Sequence, residues 1–161
     1  MSRKLNETFR HLIQLGNGKK TVVYECPDCG CNFTAMRRDL TYVIVTFLIS
    51  LHDMWKADGQ DYHAYRDVIA FAVKNHQCTP SDYSILERWK LIDTKPGINQ
   101  GKYKKISANG YKFLCNELPV AAFHYQLPHC EEIMYSKEKI TFKELRDAYL
   151  EKLERKPFHK K

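Results

Sequence analysis

The stretch between Thr79 and Glu117 limits the possible fold more tightly than any other, because start, stop and turn signals follow one another there without a gap. Thr79-Pro80-Ser81-Asp82 opens a helix: the threonine caps it, and the proline takes a first-turn position where its missing N–H costs nothing. Over residues 81–90, Ile85, Leu86 and Trp89 can share one buried stripe, which leaves Ser84, Glu87 and Arg88 outside. Leu91-Ile92-Asp93-Thr94-Lys95 then turns into a strand, and residues 96–101 form a polar loop holding Gly97 and Gly101. Residues 102–107 return as a second strand, and residues 108–117 close the unit as a helix.

Two further helices precede this stretch. Residues 39–57 read as a long, largely buried helix, because the segment is too long for a typical strand despite its β-branched content. Its apolar run, residues 42–51, is about half of the roughly 20 residues that a membrane span needs. Asp58-Gly59 breaks it, and residues 62–74 form a second helix with Tyr65, Val68, Ile69, Ala72 and Val73 on one face. Helix, helix, two-stranded wing, helix is the order of a winged helix-turn-helix. At the N-terminal side, residues 5–15 form a short amphipathic helix, followed by a hairpin to about residue 36. A second hairpin and a final helix follow the core, and Thr141-Phe142-Lys143-Glu144 has the spacing of a capping box. The expected fold class is α+β: a winged helix-turn-helix core with a zinc-knuckle β-hairpin and a C-terminal hairpin-helix extension. Its divisions fall at residues 1–38, 39–118 and 119–161, a total of 161 that suits one domain with appendages.

The chain is 43% apolar and 28% charged, which excludes a disordered polyampholyte. Met1 to Arg10 is polar and amphipathic rather than a signal peptide, so a cytoplasmic, soluble protein is expected. In such a compartment the six cysteines stay reduced. Cys26-Pro27-Asp28-Cys29-Gly30 has the shape of a zinc knuckle, since a tight turn points backbone N–H groups at two thiolates and Gly30 can adopt positive φ. A redox dithiol is the rival; it would want a helix starting at the first cysteine, whereas this motif leads into a strand. Tetrahedral zinc needs four ligands, and His129-Cys130 makes the best second pair, with His124 and His11 weaker. Cys31 would alternate to the other side of the strand, and Cys78 and Cys115 read as core.

Lysine and arginine total 26 against 19 acids, a net charge of +7, and their placement matters more than the sum. Basic runs at both ends read equally well as solvated tails or as polyanion contacts. Lys95, Lys102, Lys104 and Lys105 form an internal cluster without an acid, suited to phosphates. On the preceding helix, Arg88 has the fork that can reach guanine and Lys90 adds charge, yet Asp82 and Glu87 cancel them. Binding is therefore expected to be dominated by the nucleic-acid backbone, with DNA as partner. The competing expectation is a winged helix that serves as a scaffold for binding another protein. His52-Asp53, with Asp58, Asp61 and His63, superficially resembles a metal phosphohydrolase pair, but no spacing supplies the further ligands, so no enzyme is expected.

The segments ILERWKLIDTKPG and GKYKKISANGYKFL resemble the recognition helix and wing of winged-helix regulators. The span from about Tyr24 to Phe158 also resembles a family of small, uncharacterised phage and bacterial proteins. In that family a Cys-x-x-Cys knuckle precedes a long helix, the winged-helix pattern, a hairpin and a final helix. The resemblance implies architecture, with a structural zinc ion, and brings no activity; Cys130 and His129 have no clear counterpart in it. If Cys26 and Cys29 hold zinc, Cys26→Ser is expected to lose the metal by elemental analysis while Cys115→Ala keeps it. The ligation is worth several kcal/mol to the hairpin, given about 10–16 kcal/mol for zinc-finger peptides.

Overall fold

A computed structural model describes residues 21–25, 30, 32–126 and 133–155, a mixed α+β arrangement. The helix expected over residues 5–15 lies outside these residues, as do Cys26, Cys29, Cys31, His129 and Cys130. By contact clustering the chain divides into Met1–Leu40 with Ala121–Lys139, and Thr41–Val120 with Ile140–Lys161.

In the first of these units, β1 (Thr21–Glu25) pairs antiparallel with β2 (Asn32–Asp39), from Thr21 opposite Met36 to Glu25 opposite Asn32. The far edge of β2 would otherwise leave a row of unpaired N–H and C=O groups. It pairs with β7 (Phe123–Gln126), placing Asp39 opposite Phe123, and β7 pairs with β8 (Ile133–Tyr135). Both expected hairpins therefore belong to one sheet, ordered β1-β2-β7-β8. The Arg37 guanidinium lies 3.8 Å from the Phe123 ring centroid, and its Nε donates to Asp39 at 2.5 Å.

The second unit is organised by α1 (Tyr42–Asp58), in which Phe47, Leu48 and Leu51 are fully buried. It starts three residues later than its sequence predicts because Asp39 continues β2. Thr41 caps it, accepting from Ile44 N–H at 3.3 Å, and Gly59 ends it at φ 72°. The second helix also starts late, as α2 (Tyr65–His76), because His63–Ala64 forms a short strand, β3. Ala64 is extended, and Tyr65 N–H donates to the Lys102 carbonyl at 2.8 Å.

The helix expected over residues 81–90 is replaced by a 3₁₀ segment, Tyr83–Glu87, continued by turns. Its bonds run three residues back, from Ile85 N–H to Asp82 and from Arg88 N–H to Ile85, and Lys90 leaves it at φ 60°. A 3₁₀ turn brings every third side chain into line. The spacing of Tyr83, Leu86 and Trp89 fits that turn: Leu86 and Trp89 are buried, and Tyr83 stacks on Phe47 with centroids 4.5 Å apart. Strands β4 (Ile92–Thr94) and β5 (Tyr103–Ile106) follow in a three-stranded sheet ordered β3-β5-β4.

Helix α3 (Ala108–Leu114) follows β5, capped by Ser107, whose Oγ accepts from Gly110 N–H at 3.0 Å and donates to the Lys90 carbonyl at 2.7 Å. Cys78 is buried as expected, whereas Cys115, expected in the core, is exposed because α3 ends before it. Strands β6 (Val120–Ala121) and β9 (Lys139–Ile140) form a separate pair. Helix α4 (Phe142–Arg155) opens with the expected capping box: Glu144 accepts from Thr141 N–H at 2.9 Å, and Thr141 Oγ1 accepts from Glu144 N–H at 3.1 Å. Among the described residues no helix is long and apolar enough to cross a membrane.

A Cβ on Gly110 would lie 2.2 Å from the Leu91 carbonyl oxygen and 3.0 Å from Leu48 Cδ1. Gly110→Ala is therefore expected to destabilise the protein by about 2–3 kcal/mol, read from the midpoint of urea unfolding. Gly101→Ala meets nothing within 4 Å and is expected to stay within about 0.5 kcal/mol of wild type.

Candidate nucleic-acid interface

In β5 the side chains alternate, so Tyr103 and Lys105 share one face and Lys104 and Ile106 the other. On the first face the lysines collect around two tyrosine rings. Lys95 Nζ lies 5.7 Å from the Tyr62 centroid and 5.4 Å from that of Tyr103. Lys102 Nζ is 5.3 Å from Tyr103, and Lys105 Nζ is 5.2 Å from Tyr62. Each ring face carries partial negative charge, which holds an ammonium near it without neutralising it. Asp93 stands opposite Lys105 in the strand register and is the acid closest to the group in the ladder.

Lys104 behaves differently. Only 8% of it is exposed, and its Nζ donates to Glu87 Oε1 at 2.8 Å and to Thr94 Oγ1 at 2.8 Å. Thr94 Oγ1 also donates to the same Glu87 oxygen. Of the four lysines expected to meet phosphates, Lys104 is thus removed from that role by an internal ion pair. Burial pushes the Glu87 carboxyl up, but the hydrogen bonds from Lys104 and Thr94, with the Lys104 and Arg88 charges, outweigh it and hold the carboxyl below its usual value.

Arg88 and Lys90, expected on a reading helix, sit instead at the end of the 3₁₀ segment. Arg88 is half-buried and Lys90 is exposed. Five residues of 3₁₀ helix span about 10 Å, against about 15 Å for the ten-residue α-helix expected there. That is a short rod for a groove. Of the His and Asp residues singled out near α1, only His63 and Asp58 pair with each other, Nε2 to Oδ2 at 2.8 Å; Asp53 Oδ2 lies 3.4 Å from His76 Nε2, and His52 and Asp61 belong to neither pair. The Gln60 N–H and the His63 hydrogen bond lower the Asp58 carboxyl. Among the described residues no three His, Cys, Asp or Glu side chains are grouped to hold a metal.

Beside the lysine cluster, a cleft of about 410 Å³ is lined by His52, Trp55, Tyr111 and Ile106, with Lys105, Lys112 and Asp61 supplying charge. The His52 ring lies 5.9 Å from Trp55 and 5.5 Å from Tyr111. A hydrogen bond with the neighbouring Cys115 thiol raises the Tyr111 phenol above its usual value. Sequence reasoning missed both Tyr62 and this cleft. For Tyr62 no local signal was available, because the strand that follows it exists only through its pairing with β5. No family model, curated protein or solved structure gives a significant match to this chain.

The Glu87–Lys104 pair sets a pH dependence. A carboxyl held low in the fold contributes stability above its unfolded pKa, and that contribution is lost as pH falls through the lower folded value. Glu87→Gln is expected to cost about 1 kcal/mol at pH 7, since 41% exposure of the Glu87 side chain screens the pair. Urea titrations at pH 7 and at pH 3 are expected to show that difference shrinking in acid.

Proposed function

We propose that this protein is a non-enzymatic, winged-helix nucleic-acid-binding protein of phage type, associated with transcription, that holds DNA through its wing. In this reading β4 and β5 are the wing, α1, α2 and the 3₁₀ segment stand for the helices before it, and α3 closes the unit. The observation that supports it is the gathering of Lys95, Lys102 and Lys105 around Tyr62 and Tyr103, with Lys104 turned inward to Glu87. Three like charges held close repel one another, and a polyanion relieves that repulsion by releasing its own counterions. Phosphate contacts carry no base identity, and the short 3₁₀ segment offers little to a groove, so sequence preference is weak. A structural zinc ion on Cys26 and Cys29, with His129 and Cys130 as the second pair, belongs to the same proposal, as does a place in the cytoplasm of the host.

The 3₁₀ segment in place of a reading helix also favours a second reading: an adaptor or inhibitor that uses the same scaffold to bind a host or phage protein. The two separate cleanly. Under the first, Lys95→Gln, Lys102→Gln and Lys105→Gln are each expected to flatten the slope of log K against log salt by about 0.9 for a random duplex. Lys104→Gln is expected to leave that slope unchanged while lowering stability. A chain that binds no duplex at low salt, or whose slope ignores all three changes, belongs to the second reading.

A further inference from the structure

The cleft lined by His52, Trp55 and Tyr111 lies next to the lysine cluster, and Lys105 belongs to both. Two of its rings are unusually open to water, Trp55 at 41% and Tyr111 at 47%, although large aromatic side chains gain most from burial. Within a duplex every base is stacked on its neighbours and presents only edges, so exposed ring faces in a cleft gain nothing from paired DNA. An unpaired base offers a whole π-face, and base–aromatic stacking tolerates any sequence. Charge favours an anionic occupant, since the lining holds two lysines, Lys105 and Lys112, and a single carboxylate, Asp61. The volume, about 410 Å³, is within the range of pockets that hold a small planar ligand.

Resting on the nucleic-acid reading above, we infer that this cleft takes an unpaired base of single-stranded DNA, stacked against Trp55 and Tyr111, with its flanking phosphates on Lys105 and Lys112. The strand then runs from the cleft onto Lys95 and Lys102. The protein so described prefers DNA with a single-stranded stretch beside a duplex, such as an overhang or a gap, over fully paired DNA. Asp61 can accept a hydrogen bond from an exocyclic amine, which gives the site a mild preference among bases without making it specific.

The chain's two tryptophans make the test direct, because Trp89 is buried at 7% exposure and Trp55 is not. The full chain is titrated with a short oligothymidylate and, separately, with a duplex of the same length, following tryptophan fluorescence and the anisotropy of labelled DNA. The oligothymidylate is expected to quench the emission of Trp55. Trp55→Ala and Tyr111→Ala are each expected to weaken single-strand binding about tenfold and to leave duplex binding unchanged. Trp55→Phe is expected to restore the affinity while removing the quenching, which separates stacking from a folding defect.

Duplex binding with single-strand affinity indifferent to Trp55→Ala and Tyr111→Ala overturns the inference and leaves the wing reading standing. Single-strand binding through the cleft without any duplex binding keeps the inference and overturns the duplex reading. Quenching by thymidine monophosphate at the same concentration as the strand makes the cleft a free-nucleotide site and overturns the strand path. Binding of neither form of DNA overturns both.

Discussion

Helix α3 can lie against Leu91, the residue before β4, only because its third position carries no side chain. The Leu91 carbonyl occupies the space a Cβ would take, and it accepts the Ser107 N–H at 3.0 Å. Ser107 then ties the same junction from the other side, through the Lys90 carbonyl and the Gly110 N–H. One serine and one glycine thus join the end of the 3₁₀ segment, the end of β5 and the start of α3. Everything argued about function hangs on this junction, because it sets where Lys105 leaves the strand and where Tyr111 stands beside it.

The same strand sorts the charges. Period-two alternation puts Lys104 on the side of Thr94 and Glu87, and Lys105 on the side of Tyr62. An ammonium with so little exposure would be costly without partners, and two oxygens satisfy it. The inward lysine serves the fold while its neighbours stay available to solvent. Identity alone does not tell these lysines apart; parity within the strand does.

Much of the second unit was legible because its signals are local. Gly59 and the Thr141–Glu144 box are boundary signals read from adjacent residues, whereas the Thr41 cap was passed over for a start at Asp39 and Ser107 was read as strand. Strands β4 and β5 followed from the glycines between them. What was not legible depends on partners distant in sequence. His63 and Ala64 become a strand because β5 offers them an edge, which no window around residue 63 contains. The 3₁₀ segment was misread as a helix because Ile85, Leu86 and Trp89 satisfy a 3.6 period, while Tyr83, Leu86 and Trp89 satisfy a period of three, and Tyr83 stacks on Phe47. Two hairpins were read separately, and their union into one sheet rests on the pairing of Asp39 with Phe123. In the candidate site the lysines announced themselves by charge, whereas no pattern in the sequence marks Trp55 and Tyr111 as exposed.

That pairing of Asp39 with Phe123 also orders events in time. Strands β1 and β2 are separated by only six residues in sequence, and hairpins form within about 1–10 microseconds. Strand β2 finds β7 only after the whole intervening chain has been gathered in, and the length-dependent entropy of closing so long a loop is about 4 kcal/mol. A chain emerging from the ribosome therefore carries an early hairpin with an open edge until β7 is made. Loop-closure entropy thus favours a late union of the four strands, and until then the open edge of β2 is a place where mispairing can start.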